Sequence, residues 1–409
     1  MRLLHVTHQY APAIGGAERY IIDLSEELAR RGHRVDVYTS RAVDTHTWAN
    51  VLPRTETLDG VAVRRFDAWP RRGHTWRVLD RGLRRYWRTR SPLDAAAIWY
   101  GNGPVCPGLF WAILRHAREV DLVHISQLHY AHAATAYAAA KWAGLPVVTT
   151  PHIHAEQPAT HDVGYLWRIL HGSRAVLADT PGERDYLVAR GLSPLQVVTG
   201  GHGLNLAHFP PQDRAAARAR FGLADDAFVV LFLGRKTEYK GLGATLAAFR
   251  RLAATHPRAR LLAVGPETDE SRRLWQTVGD APDVIARGAV DDDERLAALA
   301  AADVLALPST GEAFGIVYLE AWAYGVPVIG APITAVAALI DDGVDGWLIP
   351  PDQVDQLAAR LAWLADHPDA ARAAGAAGRA KLERRYTTAH IADIVEATYV
   401  RVLRRHHTR

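Results

Sequence analysis

Phe228-Val229-Val230-Leu231-Phe232-Leu233, followed at once by Gly234-Arg235-Lys236-Thr237-Glu238-Tyr239-Lys240-Gly241, carries the decisive reading of this chain. An unbroken apolar run of this length, with β-branched and aromatic residues in it, is a strand buried on both faces, and such strands belong to parallel sheets covered by helices. The loop behind it brings Arg235 and Lys240 to the place where a strand end meets a helix start, the usual ligand crevice of an open α/β sheet. Arginine grips phosphate through paired hydrogen bonds, and lysine serves as a mobile point charge. Two solvated loop charges would look the same, so the stretch alone leaves both readings open.

Working outward, apolar strands and helices alternate in both directions. Downstream lie strands at 259–264, 284–285, 302–307 and 326–329. Upstream, Leu3 to Thr7 is a strand, a loop with Pro12 and Gly15-Gly16 follows, and Ile21, Ile22, Leu24 and Leu28 mark a helix that Gly32 closes. Val35, Val37 and Tyr38 resume a strand, and further strands fall at 121–125, 146–150, 175–179 and 196–199 around a helix at 131–143. Alternation of this kind predicts an α/β protein with doubly wound parallel sheets. The pattern breaks near 205–225, where 213–220 reads as a linking helix, so two domains are expected. The 409 residues fit that number, and 49% hydrophobic against 22% charged residues suffices for two cores.

No apolar run approaches the length of a membrane-spanning helix, and Met1 to Val6 reads as a first strand rather than a leader. The single cysteine, Cys106, excludes an intrachain disulfide and suits a reducing, cytoplasmic setting. The net charge of +4 comes from arginine, which far outnumbers lysine. Nothing in the sequence sets an oligomeric state.

Two more places suit an anion, which seeks backbone N–H groups at helix N-termini. Gly15-Gly16 precedes the first helix, where small residues permit close approach, although a glycine pair in such a loop is also an ordinary turn. The run Glu312-Ala313-Phe314-Gly315-Ile316-Val317-Tyr318-Leu319-Glu320 spans a loop and the helix behind it. Glu320 shares a helical face with Val317 and Tyr324 and is expected to point inward, where ribose hydroxyls or a salt bridge would satisfy it.

Together with Arg31-Gly32-His33, Thr150-Pro151-His152, Gly325-Val326-Pro327-Val328 and Asp342-Gly343-Val344-Asp345-Gly346, these elements resemble glycosyltransferase family 4 from residue 1 to about 390. The resemblance implies the GT-B fold: two Rossmann-like doubly wound sheets facing a central cleft. It sets an N-terminal acceptor domain at 1–205, a C-terminal nucleotide-sugar donor domain at 206–387, and a helix at 388–409 packing back on the first domain. The implied activity is transfer of a sugar, with retention, from a nucleotide-diphosphate sugar (a UDP- or GDP-sugar as co-substrate, with no other cofactor) to a hydroxyl of a glycan, a lipid-linked sugar or a small natural product or cyclitol. By the same resemblance the candidate catalytic residues are Arg235 and Lys240 at the diphosphate, Glu312 near the donor sugar's hydroxyls, and His152 beside the sugar and the attacking hydroxyl. Donor binding falls to Gly15 and Gly16, to Phe314, Gly315 and Ile316, and to Glu320 at the ribose. The chain departs from the family where Ile153-His154 follow His152, where His202-Gly203-Leu204-Asn205 replaces Asn-Gly-Val-Asp, and near Ala338, where a Glu is common. These departures bear on the sugar pocket and the acceptor, not on the diphosphate grip.

No metal site is expected. Asp291-Asp292-Asp293-Glu294 reads as a helix N-cap with an acidic first turn, and His129 with His132 lacks a third ligand. Ten arginines fall within 64–90, where Trp76, Leu79, Leu83 and Tyr86 share one helical stripe. That stripe packs on the first domain, lies on an anionic membrane at the inner face, or, since the resemblance gives acceptors to this half of the chain, lines the acceptor site. Two other functions stay open: a GT-B sugar-nucleotide epimerase or hydrolase, and a non-enzymatic basic binding protein. Against nucleic acid as a partner, no helix-turn-helix or aromatic-basic repeat occurs.

Overall fold

The computed structural model describes residues 1–13, 15–153, 163–279 and 281–407. They form two compact units, Met1–Gly203 with Thr388–Arg409, and Leu204–Thr387.

The first unit is built on eight strands: β1 (Arg2–Val6), β2 (Arg34–Ser40), β3 (Thr55–Leu58), β4 (Val61–Phe66), β5 (Leu122–Ser126), β6 (Val147–Thr150), β7 (Ala175–Ala178) and β8 (Val197–Thr199). Their order is β3-β4-β2-β1-β5-β6-β7-β8. All neighbours are parallel except β3 and β4, whose Leu58↔Val61 pairing leaves Asp59-Gly60 as a two-residue turn. Both turn residues have positive φ, 45° and 81°, which matches the twist of a tight hairpin. The strand order reverses beside β1, so the ends of β1 and β5 open a crevice there.

Both faces of this sheet are covered, as the apolar strands require. Leu3, Val35 and Val37 pack with Tyr20, Ile21, Leu24 and Leu28 of α1 (Gly16–Arg30) and with Ile391, Val395, Tyr399 and Val402 of the last helix, Thr388–His407. Leu4, Val6, Val123 and Ile125 face the opposite side. The last helix is pinned by a buried polar link as well: Tyr399 Oη lies 2.6 Å from His124 Nδ1 and 3.2 Å from His5 Nε2. Burial pushes the His5 imidazole down to about 3. Burial, then the neighbouring His5 and His152, lowers His124 as well, so the link is made by neutral rings.

The arginine-rich segment forms α2 (Gly73–Thr89), which packs on α3 (Pro92–Asn102). Leu79 and Tyr86 are buried, while Trp76 is 41% exposed with the Arg71 guanidinium 4.1 Å over its ring. A Cβ on Gly101 of α3 would stand 2.5 Å from Leu79 Cβ, so the two helices touch at backbone distance. The apolar stripe is thus covered by the protein itself, apart from Trp76. No helix among the described residues is long and apolar enough to cross a membrane.

The second unit carries β9 (Phe228–Leu233), β10 (Ala259–Val264), β11 (Val284–Arg287), β12 (Val304–Leu307), β13 (Val328–Gly330) and β14 (Gly346–Leu348) in the order β11-β10-β9-β12-β13-β14. Every neighbouring pair is parallel. The order reverses beside β9, which sets the ends of β9 and β12 at the crevice. The helix Arg214–Arg220, read as a linker, belongs to this unit. Arg214 and Arg218 both hold Asp303, whose carboxylate accepts the Val229 N–H at the start of β9. Asp291 caps the helix Asp292–Ala301 by accepting the Glu294 N–H at 2.8 Å. The alanine- and glycine-rich helix Pro368–Arg385 owes its small residues to close packing. A Cβ on Gly375 would stand 1.8 Å from the Gly325 carbonyl, and one on Gly378 2.1 Å from the Trp322 ring.

Candidate active site

In the second unit the crevice beside β9 gathers most of the residues marked by the sequence. β9 ends at Leu233, and the loop from Gly234 turns through a short 3₁₀ segment, Glu238–Lys240, to Gly241. Gly241 adopts φ 81°, and a Cβ there would stand 2.5 Å from the Pro308 carbonyl oxygen behind β12. Only glycine fits, and the fit draws the two loops together. The Thr310 N–H donates to the Tyr239 carbonyl at 2.7 Å, and the Ser309 hydroxyl donates to the same oxygen at 3.1 Å. Lys240 and Glu312 consequently meet, with Nζ 2.6 Å from Oε1 and Glu312 only 8% exposed. Arg235 is exposed, and its guanidinium makes no ion pair among the described residues. The adjacent Lys236 points the other way. It is buried against Glu267, with the Arg287 carbonyl at 2.6 Å, and so holds the fold.

Gly315, at φ 94°, opens the helix Ile316–Ala323 without any side-chain cap, leaving first-turn amides available to an acceptor. Phe314 is buried with its ring 5.8 Å from that of Tyr386, so it offers its backbone and not its side chain. The core stripe of this helix is Tyr318, Leu319 and Trp322, and Glu320 lies beside it on the face with Val317 and Tyr324, its side chain 17% exposed. Its partner is Arg295, at 2.9 Å.

The remaining marked residues lie in the first unit. Gly15 is the N-cap of α1 and Gly16 its first residue, exposed. The Glu18 carboxylate folds back over this turn, where a Cβ on Gly15 would stand 2.0 Å from Oε2, and it pairs with His8 Nε2 at 3.1 Å. Burial would raise the Glu18 carboxyl, but the hydrogen bond and charge of His8 hold it below its usual range. His152 follows β6 at φ 53°, a left-handed conformation rare outside glycine, and is 3% exposed. Its ring contacts Asp179, Ser126, Tyr20 and His202. His154 lies outside the described residues. The sequence reading missed Asp179 and Glu183, both fully buried beside His152, and gave His202 no role beyond a departure from a familiar motif. Asp179-Thr180-Pro181 at a strand end was the available signal. Its meaning depends on three separate loops meeting, which no local pattern reports.

Both units match known protein families. Residues 213–381 fit the family described as Glycosyl transferases group 1, and residues 14–207 fit Glycosyltransferase Family 4. Among curated relatives, the D-inositol 3-phosphate glycosyltransferase of Streptomyces scabiei is 30% identical over 94% of this chain and 86% of its own. That of Kineococcus radiotolerans is 32% identical over 88% and 85%. Among solved structures, sucrose-phosphate synthase from Thermosynechococcus elongatus aligns with a TM-score of 0.74 at 23% identity, over 99% of this chain and 100% of its own. Anabaena HepE in complex with UDP and glucose aligns at 0.72 and 21%, over 97% and 99%. At that identity the structures speak for the fold, the GT-B pair of Rossmann-like sheets. The family models and the curated relatives go further, and by them the chain belongs to glycosyltransferase family 4 and is a glycosyltransferase.

Proposed function

We propose that the enzyme moves a sugar from a nucleoside-diphosphate donor to a hydroxyl acceptor and retains the anomeric configuration. The observation that carries the donor half is the Lys240–Glu312 pair joining the loops behind β9 and β12, with Arg235 exposed on the first loop and the uncapped N-terminus of Ile316–Ala323 following the second. Two cations and a helix N-terminus suit the charge that develops on a departing diphosphate, and preorganised groups of this kind supply the largest share of many rate enhancements. Glu312 is tied to Lys240, which fits holding a donor-sugar hydroxyl better than acting as a free nucleophile. In this reading the bond from the sugar's C1 to the diphosphate oxygen breaks and the acceptor oxygen bonds to C1 on the same face. The acceptor's proton passes to the leaving phosphate. His152 stands beside the sugar, and Glu320, with Arg295, reaches the ribose.

The names of the curated relatives make a cyclitol the acceptor to test first. The cations at the crevice belong to the chain, so the reading includes no metal in the transfer step. It also places the enzyme in a reducing, cytoplasmic compartment, with the exposed arginines of α2 available to an anionic surface.

A panel of UDP- and GDP-sugars, followed by release of the nucleoside diphosphate with and without EDTA, tests this. One donor is expected to hydrolyse slowly, faster when inositol or an inositol phosphate is added, with EDTA leaving most of the rate. Product NMR is expected to show retention. Inversion, or turnover of no donor, would overturn the reading.

A further inference from the structure

His152 has both ring nitrogens engaged. Nδ1 lies 2.8 Å from Asp179 Oδ2, just past β7, and Nε2 lies 2.9 Å from Ser126 Oγ, at the end of β5. Asp179 is 2% exposed, and its other oxygen stands 3.1 Å from His202 Nε2. Behind them Glu183, also 2% exposed, accepts the Ile153 N–H at 2.7 Å through one carboxyl oxygen and the Asp179 N–H at 2.6 Å through the other. One carboxyl group thus ties the residue after His152 to Asp179 itself.

We infer that Asp179 is a positioning residue for glycosyl transfer, which locks His152 in the tautomer with its proton on Nδ1 and leaves Nε2 as an acceptor toward Ser126. The inference rests on the proposed place of His152 beside the donor sugar. An ionised carboxylate has no proton to give, so the hydrogen bond to Nδ1 requires the proton on the ring. In a neutral ring carrying its proton on Nδ1, Nε2 accepts, and the Ser126 hydroxyl 2.9 Å away donates to it. The charged or titratable groups facing this ring are Asp179, Glu183 and His202, with Glu18 and Tyr20 from α1 and His124 from β5. Burial works against ionising Asp179, but His152 and then His202 hold its carboxyl well below the ordinary range. Burial and the Asp179 charge push Glu183 well above it. The two adjacent carboxyls are therefore pushed in opposite directions, and the one held low faces the imidazole.

The test is nitrogen-15 NMR of the histidine rings in the full-length enzyme, with His152→Asn used to assign the signal. The expected spectrum shows His152 protonated at Nδ1 and bare at Nε2. In Asp179→Asn the amide can donate to Nδ1, so the proton is expected to move to Nε2. That variant's kcat should fall by about a hundredfold or more, as for other aspartates that fix a histidine tautomer. Its donor KM should stay within about threefold, because ground-state binding is not what the tautomer controls. A wild-type proton on Nε2 would overturn the inference whether or not the variant folds. So would an Asp179→Asn kcat near that of the wild type. The ligand atoms of His152, Asp179 and His202 lie within 4.8 Å of one another, so stoichiometric divalent metal in the purified enzyme, which would stand where the Nδ1 proton is assigned, would overturn the inference as well. The spectrum needs no donor, so it separates failure of this inference from failure of the transfer reading.

Discussion

Arg235 and Lys240 stand five positions apart in the sequence and in different physical situations. The Arg235 side chain is exposed and makes no ion pair among the described residues, so its removal leaves nothing stranded. Lys240 neutralises Glu312, which is only 8% exposed, so its removal leaves a buried carboxylate without that partner. The two substitutions should therefore separate activity from stability. Arg235→Ala is expected to lower kcat/KM by at least about a hundredfold with an unchanged melting temperature. Lys240→Ala should lose a similar factor and also about 1–3 kcal/mol of stability, read by denaturant unfolding. Near-normal turnover in both variants would remove the diphosphate assignment. These charges were legible because a buried strand, a glycine and a cation at a strand end are contiguous. The Asp179–His152–His202 cluster was not, because its members come from three loops brought together only by the β6-β7-β8 order. Glu320 was read as an inward carboxylate in need of a partner, and its side chain is 17% exposed and paired with Arg295. The most buried stripe of its helix runs one position over, through Tyr318, Leu319 and Trp322, which a count of spacings alone does not distinguish.

Elements were read best where they are long and apolar throughout. β9 and β10 fall at the residues the hydrophobic runs marked, whereas the three-residue β14 and the half-polar β3 escaped notice. The β3–β4 hairpin could have been found from Asp59-Gly60, the strongest short-range turn signal in that stretch. The α2 stripe was visible, but its partner was not, since α3 is marked by the glycine that admits Leu79 rather than by a stripe of its own. That contact yields an element-scale prediction. Gly101→Ala places a methyl where Leu79 backbone and side chain already stand, at 2.5–2.9 Å, so α2 must shift. Overpacking of this kind costs about 1–3 kcal/mol, and thermal unfolding should register it. An unchanged melting temperature would mean that α2 and α3 are not held this closely. The same variant should expose Leu79 and Tyr86 and so strengthen pelleting with anionic vesicles at low salt, if these residues then meet the lipid.

At the scale of the whole molecule, the first unit is assembled from both ends of the chain, with Leu204–Thr387 inserted between them. The last helix supplies Ile391, Val395, Tyr399 and Val402 to a core that β1, β2 and α1 cannot close alone, and its Arg31–Asp393 and His33–Glu396 contacts seal the edge. A fragment spanning 204–387 is expected to unfold cooperatively on its own, because its sheet and both covering layers are contiguous in sequence. A fragment spanning 1–203 should be loose and aggregation-prone, and should tighten when a peptide of 388–407 is added in trans. Tight, cooperative unfolding of 1–203 by itself would sink this. The arrangement also sets a schedule for biosynthesis. As the chain leaves the ribosome, the inserted unit can finish folding while the segment before it still waits, the apolar face of β1 and α1 open, for residues 388–407. A ribosome stalled with 388–407 still in its exit tunnel would hold a folded 204–387 unit and an incomplete first unit. Chaperone demand during synthesis should accordingly fall on the unit that 1–203 begins and 388–407 completes.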